Sequence, residues 1–337
     1  MTPINALEVM AHGPHMDRRK LIQMVCASAA TAAAAPAWAN GWPDRTIRLI
    51  APFTPGAATD FVSRALAQKL SDQLAQPVIV ENRPGAAGTI AAEAVAKAQP
   101  DGYTFLFGEP GGLTVAPAVT RHLRFNALRD LTPVAQAVSL PMIVLAHPSV
   151  EADSLQALAS LARRKSLDYA TNGTGSVQHL SMELLASRLG IKMTHVPYRG
   201  GSLAINDLIA GQVPLSLLTV PTAATYIKSG KVKALGILDS QRAPLLPDVP
   251  TAQEQGVKDA SVPIWGGLFA PSQTEKTIIQ RMSESIRLAL GDPALRQRLE
   301  DAGNDVVFRP SAEFSAIVTA DTEKWRKLVA STGIKID

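Results

Sequence analysis

The chain has 337 residues, 46% of them hydrophobic and 18% charged, enough apolar material for one large or two medium buried cores. The formal charge is +4 with both signs interspersed and no run of one sign, so nothing in the sequence points to a nucleic-acid partner. The one cysteine is Cys26, which excludes an intrachain disulfide and a Cys-ligated metal centre.

The first feature in chain order is a leader. Arg18, Arg19 and Lys20 precede an uncharged stretch over residues 21–43 that turns Ala-rich and carries Ala37-Trp38-Ala39, a small-x-small pattern suited to signal peptidase. This predicts a secretory signal over residues 1–39, cleaved near Ala39, with a periplasmic product. The paired arginines fit the twin-arginine route as well as an ordinary Sec signal, and Met16 is an alternative start. The stretch is short and Ala-rich for a membrane anchor. Gln23 and Val25 before Cys26 argue against a lipoprotein site. Five charged residues lie before Asn40, three basic and two acidic, which leaves +3 on the exported part.

Beyond Asn40 short apolar runs alternate with helical patterns, the signature of an α/β protein. Residues 46–53 read as a strand and 60–74 as a helix with Phe61, Val62, Ala65, Leu66 and Leu70 on one face. Strands at 77–80 and 103–107 enclose a helix at 90–98, giving two successive β-α-β units. A second set follows: strands at 143–146, 167–170, 195–198, 213–218 and 232–237, and helices at 154–164, 177–189 and 203–210. A strand at 265–270 is followed by helices near 274–290, 293–302 and 312–330. Thr251 with Glu254 and Ser272 with Glu275 have capping-box spacing. No repeat or low-complexity linker separates the halves, which predicts two domains joined by strands or short hinges, with a ligand cleft between them.

Two strand-to-helix junctions share one composition. Residues 52–59 (PFTPGAAT) lead into Asp60, and residues 171–176 (TNGTGS) lead into Val177. Both are rich in Gly, Ala and hydroxyl side chains and free of charge. A helix N-terminus behind such a loop offers unpaired N–H groups and a partial positive charge, which can hold a carboxylate without arginine. Each junction is equally readable as a tight turn with an N-cap, Thr59 or Asp60 in the first and Ser176 in the second. A third loop at 108–114 (GEPGGLT) contributes Gly108 as a candidate, and Tyr198 and Arg199 stand near small residues at 195–202.

Enzyme signatures are missing: no nucleophile elbow, phosphate loop or zinc motif, and Gly173-x-Gly175 lacks the third glycine of a dinucleotide site. His122, His147, His179 and His195 have no metal-ligand spacing. Ser176 and His179 are three apart, but the sequence places no acidic partner for them. The reading therefore includes no cofactor, no metal and no catalytic residue.

Taken together, residues 42–60 (WPDRTIRLIAPFTPGAATD), 80–88 (VENRPGAAG), 100–104 (PDGYT), 169–180 (YATNGTGSVQHL), 195–200 (HVPYRG), 246–251 (LPDVPT) and 267–271 (GLFAP) resemble the Bug-type receptors of tripartite tricarboxylate transporters. The resemblance covers residues 42–337. It implies a type II periplasmic-binding-protein fold whose first domain is 40–140 plus 261–337 and whose second is 141–260, closing on the ligand by a hinge. It implies a small carboxylate ligand, membrane subunits of a tripartite carrier as partners, and a monomer. The binding residues it implies are Phe53, Thr54, Gly56, Ala57 and Asp60 in the first loop, and Thr171, Thr174, Gly175, Ser176 and His179 in the second. Ala57 stands where a second glycine is usual, which is expected to narrow the first loop. Asn172 replaces a frequent proline and Arg199 a frequent lysine. Leu218-Thr219 replaces a common Asp-Asn pair, which makes Thr219 a candidate contact and argues for a ligand without a cationic group. A sensory receptor serving a histidine kinase, and an enzyme on the same scaffold using Ser176 or His179, are the alternatives.

Overall fold

The computed structural model describes residues 41–120, 122–198 and 201–332. The leader, its cleavage site and Arg199 lie outside the described residues. From Pro43 onward the described residues make one compact unit.

The first sheet begins as the β-α-β pattern predicts. Strand β1 (Ile47–Ala51) pairs in parallel with β2 (Val78–Asn82) on one side and β3 (Thr104–Gly108) on the other. Helix α1 (Ala58–Leu74) makes the first crossover and α2 (Thr89–Ala96) the second. Burial of Val62, Ala65, Leu66, Leu70 and Leu74 fixes the inner face of α1, each large aliphatic side chain contributing about 1.5–3 kcal/mol relative to an exposed one. Phe61 departs from the expected stripe. It is half-buried, and the Arg298 guanidinium covers its ring at 5.2 Å.

After β3 the chain makes a π-helical turn at Gly111–Val115 and short helices α3 (Ala116–Val119) and α4 (Ala127–Asp130). Strand β4 (Leu131–Leu140) then crosses the molecule, and only Pro141 separates it from β5 (Met142–Ala146), which belongs to the second sheet. That sheet also holds β6 (Asp168–Thr171), β7 (Thr194–Pro197), β8 (Leu215–Thr219) and β9 (Lys233–Ile237), in the order β7-β6-β8-β5-β9. Helices α5 (Leu155–Ala162), α6 (Val177–Leu189), α7 (Gly201–Ile209) and α8 (Val220–Lys228) connect them.

The chain returns through β10 (Ile264–Pro271), followed by α9 (Lys276–Leu290), α10 (Pro293–Asp301), β11 (Asp305–Pro310) and α11 (Ser311–Thr332). The first sheet is completed in the order β11-β4-β10-β3-β1-β2, with β10 antiparallel to both β3 and β4. Trp265 and Phe269 on β10 pack with Phe314 of α11 at ring separations of 5.1–5.9 Å.

Of the two expected capping boxes, the one at Thr251 forms reciprocally. Thr251 N–H donates to Glu254 at 2.7 Å, and Glu254 N–H to the Thr251 hydroxyl at 3.1 Å. The one at Ser272 does not form. Glu275 is itself the N-cap of α9, and its carboxylate accepts from Thr277 at 2.6 Å, so it is turned away from Ser272.

Candidate functional site

The first junction lies between β1 and α1. Gly56 takes φ +86°, a left-handed conformation natural to glycine, and its N–H donates to Asp60 at 2.9 Å. The buried Asp60 carboxylate also receives Asn82 at 2.8 Å and Arg64 at 2.9 Å, and Asn82 in turn donates to the Phe53 carbonyl at 2.9 Å. Burial alone would raise the pKa of Asp60; the bonds from Arg64, Gly56 and Asn82 outweigh it and hold the group at about 2. Asp60 is therefore the organiser of the loop, its oxygens already committed. Ala57, at the N-cap, has φ −68° and ψ 159°, ordinary extended values that alanine adopts without strain. No side chain caps α1, so N–H groups of its first turn stay unpaired behind half-buried Phe53 and Ala57 and exposed Thr54.

The second junction lies between β6 and α6. Ser176 is the N-cap, accepting His179 N–H at 3.2 Å. Gly175, at φ +70°, donates its N–H to His179 Nδ1 at 3.0 Å, so that N–H serves the loop itself. Buried Thr171 shares a hydrogen bond of 2.7 Å with His195 Nε2. The two imidazoles stack at 3.7 Å between centroids and 11° between planes. Burial drives the pKa of His179 down to about 4; burial, with His179 beside it, does the same for His195. Thr174 is exposed and Ser176 half-buried at the rim.

Three other candidates have structural work of their own. Gly108 is buried, and a Cβ there would stand 2.5 Å from Leu113 and 2.7 Å from Phe269, so its small size serves core packing. The Tyr198 hydroxyl donates to Asp207 at 2.7 Å while its ring packs on the core of the second sheet. Thr219 is the half-buried N-cap residue of α8 and shares a 2.9 Å bond with Thr222; its neighbour Leu218 is in the core.

The turn after β3 links the two junctions. Phe53, Glu109 and Gly112 line one small cavity, and a Cβ on Gly111 would stand 4.0 Å from Val177 Cγ2 at the start of α6. Glu109 bonds the Thr59 hydroxyl in the first turn of α1. The sequence reading took Gly108 from this loop and passed over Glu109; the signal available was a lone acid in an otherwise uncharged loop. What the arrangement offers is two helix N-termini flanked by small residues. His179 Nδ1 is occupied by Gly175, the Ser176 hydroxyl receives a backbone N–H, and no carboxylate bonds either imidazole among the described residues.

Residues 62–334 match the model of the tripartite tricarboxylate transporter family receptor. The chain belongs to that family. BugT of Bordetella pertussis is 34% identical over 325 residues, covering 95% of this chain and all of that relative. MatC of Rhodopseudomonas palustris, solved with bound malate, is 35% identical with a TM-score of 0.72, covering 86% of this receptor and 100% of that chain. Another R. palustris protein, solved with adipate, is 31% identical with a TM-score of 0.75 over 87% and 99% of the two chains. The receptor thus has the two-domain periplasmic-binding-protein fold and the solute-binding, transporter-associated role of its family. Among the described residues no helix is long and apolar enough to cross a membrane.

Proposed function

We propose that the receptor captures a small carboxylate in the periplasm by closing residues 40–140 with 261–337 over residues 141–260, and delivers it as a monomer to the membrane subunits of a tripartite carrier. In this reading the leader is removed near Ala39. One observation carries it: the N-termini of α1 and α6 meet the same turn after β3, and each is preceded by a loop of small, uncharged residues. Backbone N–H groups and the helix dipole then take the place of basic side chains. The contacts fall to the unpaired N–H groups of the first turn of α1, reached past Phe53, Thr54 and Ala57, and to Thr174, Ser176 and Thr219; Gly56, Asp60, Thr171, Gly175 and His179 hold those groups in place. The relatives solved with malate and adipate support a carboxylate ligand. The function is binding without bond chemistry, in keeping with a Ser176–His179 pair that is hydrogen-bonded to its own loop.

The test uses protein unfolded and refolded to remove carried-over ligand. A carboxylate at a hundredfold excess over its Kd should stabilise the native state by about 2.7 kcal/mol and raise Tm by roughly 5 °C or more. The variant Ala57→Asp separates binding from folding. Residue 57 already has N-cap geometry, so a carboxylate there caps α1 and stabilises by about 1 kcal/mol while occupying the N–H groups meant for the ligand. Expected are a higher ligand-free Tm and loss of the ligand-induced shift. Absence of any shift across di- and tricarboxylates in folded, empty protein would overturn the reading.

A further inference from the structure

Glu109 stands directly beyond the C-terminal end of β3, half-buried, between the first turn of α1 and the turn that reaches α6. Its neighbours in the small cavity are apolar or backbone: Pro52, Phe53, Ala87, Gly88, Leu106 and Gly112 among them. The cavity, about 10 Å³, holds no more than a single water. One carboxyl oxygen accepts from Thr59. Among the described residues no base pairs with Glu109, and its second oxygen has no partner. The charged groups on the surrounding elements are spoken for: Asp60 and Arg64 of α1 bond each other, and the His179 ring of α6 holds Gly175.

The placement creates a conflict. Thr59 lies in the turn whose N–H groups attract an anion, so a carboxylate arriving there meets a second carboxylate with no cation between them. Two carboxyl groups sharing such a site cannot both be ionised. Either one takes a proton or the ligand brings a positive charge. Nothing else in the two loops is an acidic side chain free to complete an ammonium site, since Asp60 is already saturated.

We propose that Glu109 is a proton-carrying, specificity-determining residue of the cleft: it takes up a proton from solvent as the ligand enters and donates it, as a short O–H···O bond, to a ligand carboxylate. The proposal rests on the carboxylate-capture reading above and adds that the preferred ligand lacks a cationic group. Burial already pushes the Glu109 carboxyl up to about 7 despite the opposing bond from Thr59, so the uptake occurs near neutral pH. Such a charge-assisted bond discriminates against neutral and amine-bearing analogues.

The experiment is calorimetric titration of refolded receptor with the straight-chain dicarboxylates from malonate to adipate, and with aspartate and glutamate as amine-bearing counterparts. For the tightest dicarboxylate, Kd should weaken roughly tenfold per pH unit above about pH 7, with close to one proton taken up per ligand bound. Glu109→Gln, neutral at every pH, should abolish both the proton uptake and the pH dependence and restore tight binding at alkaline pH. Thr59→Val, which removes the donor favouring the ionised form, should move the midpoint to higher pH. Without ligand, Glu109→Gln should raise Tm at alkaline pH and leave it unchanged at acidic pH, a readout that also shows the variant is folded. Three outcomes would overturn the proposal: affinity independent of pH, a ligand-free Tm effect that is the same at all pH values, or tighter binding of the amine-bearing acids that Glu109→Gln abolishes. The last would mean that Glu109 stays ionised and receives an ammonium. Binding of no acid at all would sink the capture reading, and the proton-linked step with it.

Discussion

The stacked His179–His195 pair makes the second junction pH-sensitive by construction. His179 Nδ1 can accept Gly175 N–H only while that nitrogen is unprotonated, and two imidazolium rings 3.7 Å apart would repel. Both groups have native pKa values near 4, below the 6.5 of a free histidine. Between those values the unfolded chain binds more protons than the native one, so stability falls as pH drops through this window and levels off, for this pair, below about 4. Asp60, held at about 2, adds a separate loss only as pH falls below the ordinary aspartate value of 3.8. Glu109 acts with the opposite sign: its raised pKa means the native state binds the extra proton, so it costs stability as pH rises from 4.5 toward 7. Variants therefore have to separate the two. In a Glu109→Gln background, Tm should decline from about pH 6.5 to about pH 4, and the further change His179→Asn should make that decline clearly shallower. An unchanged slope would show that the pair does not titrate in this window.

At the scale of elements, what the sequence revealed follows from how strongly each segment is patterned. Helix α6 was readable to the residue, because Ser176 caps its start, Gly190 in a left-handed conformation ends it, and Val177, Leu180, Leu184 and Leu185 recur between them at helical spacing. Strands β1, β3 and β10 were readable as apolar runs. Strand β4 was not. Pro133 sits near its start, and Gln136 and Ser139 interrupt it, yet β10 and β11 bury it on both edges. Strand β11 also escaped notice, being half-buried throughout and ending in Pro310. The two loops were legible by composition; which N–H groups they keep for themselves was not, because Asp60 and His179 turn back onto Gly56 and Gly175, held there by Asn82 of β2 and His195 of β7. The junction of β10 with β4 is tight where the sequence shows only Gly266-Gly267. A Cβ on Gly267 would stand 2.5 Å from the Ala135 carbonyl oxygen and 2.6 Å from the Phe314 ring. Gly267→Ala should cost about 1–3 kcal/mol by overpacking, seen as a lower denaturant midpoint with an unchanged m-value. A neutral result would mean the two strands separate there without strain.

At the scale of the whole molecule, the two sheets are joined where the register pairs Ile264 with Leu140. Leu140 is the last residue of β4 before Pro141 leads into the second sheet, and Ile264 is the first residue of β10 on the way back. The two crossings are thus side by side, and a rotation of one half against the other needs changes at few backbone torsions near 140–142 and 262–264. Contacts already span the halves: α11 packs on α6, and a Cβ on Gly303 would meet Pro221 at 2.5 Å. A ligand bridging the loops before α1 and α6 favours the closed arrangement only by the contacts it gains from both sides. Because the chain from Asn40 onward contains no cysteine, paired labels can be placed without background. Asp72→Cys on α1 and Lys165→Cys beyond α5 are both exposed positions, one in each half. Their separation should change in one step on adding a binding carboxylate, and Ala57→Asp should lose that response while retaining the ligand-free distance. A distance indifferent to ligand, in protein shown by calorimetry to bind it, would mean capture without closure, and the carrier would then have to recognise the occupied loops themselves.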